Sequence, residues 1–114
     1  MTFHKLLIAN RGEIACRIIK SAHDMGISCV AVYVDADADS LFVKQADEAI
    51  RLSDSYLNSK EIIAAAKSTG AQAIHPGYGF LSENAKFSRD VLKEGLIWVG
   101  PNSRVITSMG DKLK

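Results

Sequence analysis

His75-Pro76-Gly77-Tyr78-Gly79-Phe80-Leu81-Ser82-Glu83-Asn84 is the stretch around which the chain is organised. It follows Ala71-Gln72-Ala73-Ile74, a short apolar segment that reads as a buried strand. Pro76 removes a backbone donor and two glycines bracket Tyr78, so the strand cannot continue. Glycine there permits positive φ and close approach of another molecule to the backbone. Ser82 is the residue expected to cap the helix that follows, over 83–94. Strand, glycine loop with one aromatic ring, and helix N-terminus together suggest one rim of a binding crevice, because ligands of open parallel sheets bind at the carboxyl ends of strands. A tight turn with Tyr78 packed on a neighbour is the structural alternative.

Working outward, short apolar runs alternate with amphipathic segments. Lys5-Leu6-Leu7-Ile8-Ala9 is a continuous apolar run, the pattern of a strand covered on both faces. After the turn Asn10-Arg11-Gly12-Glu13, a helix is predicted to Met25, with Ile14, Ala15, Ile18, Ile19, Ala22 and Met25 on its apolar stripe. Glu13 and Arg17 are spaced as an i,i+4 pair, and Gly26 supplies the exit. Strands are expected over 29–34, weakly over 48–52, and over 96–99. Asn58 and Glu61 form a capping box opening a helix through Lys67, closed by Gly70. Ala85, Phe87, Val91 and Leu92 line one side of the next helix, and Val105, Ile106 and Met109 mark a last short one. This rhythm predicts a Rossmann-like α/β fold: three layers, α/β/α, with a mainly parallel five-stranded sheet. The 114 residues are expected to form a single domain, 1–114.

Composition removes several function classes. Lys plus Arg is 14 and Asp plus Glu is 13, a net charge of +1, which gives no reason to expect nucleic acid or an anionic membrane as partner. Cys16 and Cys29 have no CxxC spacing and read as buried thiols of a reducing compartment. With no apolar run near the ~18 residues of a membrane span, a cytoplasmic protein is the expectation. A dinucleotide fingerprint needs three spaced glycines, and only Gly12 follows the first strand. Asp35, Asp37 and Asp39 begin like a calcium loop, but Ser40 and Ala46 occupy the positions that need glycine and glutamate. The run is therefore read as a solvated acidic loop. His4, His23 and His75 show no ligand spacing, and no nucleophile set is legible.

Two long motifs add a resemblance. Lys5-Leu6-Leu7-Ile8-Ala9-Asn10-Arg11-Gly12-Glu13-Ile14-Ala15 and His75 through Ala85 resemble, in order and spacing, the start of biotin carboxylase. Ala46-Asp47-Glu48-Ala49, Gly100-Pro101 and Met109-Gly110-Asp111-Lys112 are similar to the same family. The resemblance implies a Rossmann-like N-terminal domain, followed in the family by an ATP-grasp lid and a C-terminal domain that have no counterpart here. It implies a ligase using ATP, magnesium, bicarbonate and biotin, with a biotin carboxyl carrier domain and a carboxyltransferase as partners. Residue by residue, Tyr78 and the backbone of Gly79 match the loop facing biotin, and Lys112 matches a lysine that holds ATP phosphates. No catalytic residue and no metal ligand carries over. The first helix, with Arg17, Lys20 and Asp24 on its polar face, matches one used in homodimer contacts; a solvated charged face is the alternative. Alone, the chain is expected to be inactive. A non-catalytic binding or assembly module on the same fold is the alternative function.

Overall fold

The computed structural model describes residues 3–100. Five strands are found: β1 Lys5–Ile8, β2 Ser28–Tyr33, β3 Glu48–Arg51, β4 Ala73–His75 and β5 Ile97–Trp98. They form one sheet in the order β3-β2-β1-β4-β5, every pair parallel. Between them lie α1 Gly12–Asp24, α2 Leu41–Gln45, α3 Ser59–Thr69 and α4 Ala85–Lys93. This is the α/β/α doubly wound arrangement that the alternation of segments predicts. The predicted last helix, with Val105, Ile106 and Met109, lies outside the described residues.

Alternation along β1 feeds two apolar layers. Leu7, Val30, Val32 and Ile74 face α3 and α4, meeting Ile62, Ala66, Phe87 and Val91. Leu6, Ile8, Cys29 and Ala31 face α1 and α2, meeting Ala15, Ile19, Ala22 and Phe42. Both faces of β1 and β2 are thus dry, which is why these strands are apolar without alternation. Burying each large side chain contributes about 1.5–3 kcal/mol. On the α3–α4 side, Phe87 meets Trp98 edge-on at 5.6 Å between ring centroids.

β3 reads weakly because it is an edge strand with mostly exposed side chains. Lys5 pairs with Glu48 at 2.6 Å and Arg51 with Asp35 at 2.5 Å, charges that discourage a further strand from adding there.

Helix ends mostly follow the predicted signals. Gly26 is left-handed (φ 76°), and the amides of Ile27 and Gly26 donate to the carbonyls of Ala22 and His23. Asn58 accepts from the Glu61 amide at 3.2 Å and donates to its carboxylate at 3.0 Å. Three expectations are corrected. Ser82 does not cap the fourth helix: it is buried in a turn, and Asn84 accepts from the Phe87 amide at 2.8 Å. Met25 and Leu92 are exposed, because each lies past the arc of its helix that meets the sheet. On α1 the ion pair is Lys20–Asp24 at 3.4 Å, not Glu13–Arg17.

Candidate functional site

The chain runs outward from β1 to β3 and then returns beside β1 as β4. The strand order therefore reverses between β1 and β4, and a crevice opens outside their carboxyl ends. Asn10 follows β1 there, and the glycine loop follows β4.

Asn10 is 1% exposed and all its side-chain hydrogen-bonding groups are used. Its Nδ2 donates to the carbonyls of Pro76 at 2.8 Å and Tyr78 at 2.6 Å. Its Oδ1 accepts from the Arg11 amide at 2.8 Å. One side chain thus fixes both the exit from β1 and the shape of the loop 66 to 68 positions later.

The loop has no room for another residue at Gly77. Its φ is 67°, and a Cβ there would sit 2.6 Å from Asn10 Nδ2. The Gly77 amide donates to His75 Nδ1 at 3.1 Å. An accepting Nδ1 requires a neutral ring, and burial of His75 lowers its pKa in the same direction. Gly79 also has positive φ (70°), but no heavy atom lies within 4 Å of where its Cβ would be. Its backbone is open to an approaching molecule. Phe80 is left-handed as well (φ 49°), an uncommon geometry for a bulky residue. Its ring packs on Tyr56 at 5.3 Å between centroids.

Tyr78, between the two glycines, is 76% exposed. Its carbonyl is clamped while its ring is free of the core. The ring stands, with His75, along an apolar groove of about 380 Å³ whose other walls include Ile14, Ile18, Ile27 and Val99.

A second arm braces this edge. Asp37 is 4% exposed and accepts from Arg11 Nε and Nη2, both at 2.7 Å, and from Tyr56 Oη at 2.6 Å. The Arg11 hydrogen bonds hold its carboxyl down at about 2, against the opposing effect of burial. Burial, then the hydrogen bond to Asp37, pushes the Tyr56 phenol up, so it stays a donor. The reading of 35–39 as solvated loop is corrected at Asp37: it is the buried anion that links Arg11, behind β1, to Tyr56 and so to Phe80. Asp35, just after β2, is paired with Arg51.

Of the residues singled out from sequence, Tyr78 and Gly79 lie together at the rim, and Lys112 lies outside the described residues. Asn10 and Tyr56 were not singled out, Asp37 was read only as part of a solvated acidic run, and Gly77 only as a glycine of the loop. A polar residue ending the apolar run 5–9 was the available signal for Asn10. Nothing local marks Tyr56, whose partner is 19 positions away.

The family model described as biotin carboxylase, N-terminal domain, matches residues 2–106. The chain belongs to that family. It is 56% identical over 116 residues to the mitochondrial propionyl-CoA carboxylase alpha chain of Caenorhabditis elegans, covering 97% of this chain and 16% of that protein. Identity to the propionyl-CoA carboxylase alpha chain of Ruegeria pomeroyi is 55%, over 97% of this chain and 17% of that one. Among solved structures, the biotin carboxylase domain dimer of Hydrogenobacter thermophilus 2-oxoglutarate carboxylase, in complex with MgADP, ADP and bicarbonate, superposes with a TM-score of 0.90 at 45% identity. It covers 94% of this chain and 24% of that one. Rhizobium etli pyruvate carboxylase gives 0.89 at 39% identity, covering 94% of this chain and 12% of that one. This biotin carboxylase N-terminal domain chain therefore spans about a sixth of the length of the curated relatives it matches.

Proposed function

We propose that the chain forms the biotin-side rim of a biotin carboxylase active site that further domains complete. The observation carrying this reading is the Tyr78 ring, 76% exposed on a loop whose backbone is held rigid by Asn10. Of the loop's two large rings, Phe80 packs on Tyr56 while Tyr78 is left standing clear of the core.

The residues fit biotin by their chemistry. Gly79 offers uncovered backbone, Tyr78 an aromatic face, and the groove beside them an apolar wall. These groups can bind and orient a flat polar ring with an aliphatic chain, and exclude water from one side of it. They supply no nucleophile or base. Bound ATP and magnesium would supply activation of bicarbonate in the assembled enzyme, and Lys112 is the residue proposed to contact ATP phosphates. Asp37, the buried acid at this edge, is already engaged by Arg11 and Tyr56, so the donors for magnesium fall to the ATP-grasp region.

On this reading residues 1–114 are one domain, and an ATP-grasp and a C-terminal domain are its necessary partners. A carrier domain bearing biotin, a carboxyltransferase and a second copy of the carboxylase complete the assembly. The free thiols of Cys16 and Cys29 suit a reducing compartment such as the cytoplasm. No helix among the described residues is long and apolar enough to cross a membrane.

The test is bicarbonate-dependent ATP cleavage with free biotin. The 114-residue chain alone is expected to give none. In a full-length parent, Tyr78→Ala is expected to raise the KM for biotin while leaving the melting temperature in place. Activity of the chain alone, or an unchanged biotin dependence in the variant, refutes the proposal.

A further inference from the structure

At the opposite edge of the sheet, where the strands begin, three donors of different chemistry converge. His23 comes from the last turn of α1, Cys29 from the start of β2, and Asp47 from the residue before β3. One ligand atom from each lies within 4.8 Å of the other two. Among the described residues this is the one such cluster of three.

The spacing is close to that of a filled site. Ligands on a tetrahedral ion, at about 2.0–2.3 Å each, stand roughly 3.3–3.8 Å apart. His23 Nε2 and Asp47 Oδ2 are 2.8 Å apart, so that pair would open slightly, and the Cys29 sulfur, within 4.8 Å of both, would close by at most about 1 Å. The sulfur has only a 4.0 Å contact to the Ile27 carbonyl to give up. Asp47 is oriented independently, because the Cys29 amide donates to its Oδ2 at 2.7 Å. That hydrogen bond and His23 account for Asp47 as a structural carboxylate; neither gives a role to the thiol. His23 and Asp47 are partly exposed, so an ion has a path in, while Cys29 closes the inner side. The carbonyl end of α1 adds negative potential at the same place.

We propose that His23, Cys29 and Asp47 bind a zinc-type divalent cation, with water as fourth ligand, clamping the end of α1 to the starts of β2 and β3. The mixed nitrogen, sulfur and oxygen set selects a borderline-soft ion over magnesium or calcium. On binding, the Cys29 thiol gives its proton to solvent and a sulfur–metal bond forms; nothing is oxidised or reduced. Burial, with the nearby Asp47, pushes that thiol up to about 11, so the ion must displace the proton and affinity rises with pH. The site is independent of the biotin-side reading, being built from other residues at the other edge.

The 114-residue chain is titrated with Co²⁺ as a spectroscopic stand-in, then with Zn²⁺ against a chromophoric indicator. One equivalent is expected to bind, with a thiolate-to-cobalt charge-transfer band that Zn²⁺ removes. Cys29→Ser should abolish the band and Cys16→Ser should keep it. His23→Ala, at an exposed position, should weaken Zn²⁺ binding at least about tenfold with circular dichroism unchanged. Absence of the band at saturating Co²⁺, survival of the band in Cys29→Ser, or unchanged Zn²⁺ affinity in His23→Ala overturns the proposal.

Discussion

Gly77 and Gly79 have nearly the same backbone angle (φ 67° and 70°), yet alanine should be far worse at the first. Left-handed backbone costs a residue with a Cβ roughly 1–2 kcal/mol, and both variants incur that. At Gly79 there is nothing else within 4 Å, so the total stays near that value. At Gly77 the new Cβ meets Asn10 Nδ2 at 2.6 Å, Cβ at 3.0 Å and Cγ at 3.0 Å. Asn10 is buried and cannot swing away; it must release its bonds to Pro76 and Tyr78. Leaving that buried amide without partners adds about 1–3 kcal/mol. Gly77→Ala should therefore lose roughly 2–5 kcal/mol and Gly79→Ala about 1–2 kcal/mol. Urea unfolding at constant m-value reads both. The decisive step is Gly77→Ala placed on Asn10→Ala, where no side-chain amide remains to be struck. Its extra cost should fall toward the backbone cost, with only the 3.0 Å approach to the retained Asn10 Cβ left beside it. Equal losses at the two glycines, or an undiminished loss on the Asn10→Ala background, would refute the account of the loop as clamped by Asn10.

Other consequences are measurable on the same chain. The folded Asp37 carboxyl sits at about 2, below its ordinary 3.8, so its contribution is full above the ordinary value and fades as pH falls toward 2. With Arg11 half exposed and screened, that contribution is about 1–2 kcal/mol, and Asp37→Asn should flatten the acid limb of stability against pH. Asn84→Ala should cost about 1 kcal/mol through loss of the α4 cap, whereas Ser82→Ala should not fray that helix; hydrogen exchange at the Phe87 amide separates the two.

Much of this molecule was legible in one dimension. Apolar runs at 5–9 and 29–34, the Asn58–Glu61 box and the glycines after α1, α3 and α4 follow from local rules, because strand, cap and turn preferences act over a few residues. The loop at 75–84 was legible for the same reason, and its length made the family resemblance specific. Which side chains hold that loop was decided only by tertiary structure. Asn10 meets it because β1 and β4 are neighbours across a reversal of strand order, a fact of topology absent from any window of sequence. Asp37 looked like one of three solvated acids; Arg11 and Tyr56, from two other parts of the chain, make its burial affordable. Met25 and Leu92 had helical spacing on their side, but only the position of the sheet determines where a buried arc stops. Local order was written in near neighbours, while burial and contact depend on residues brought together from afar.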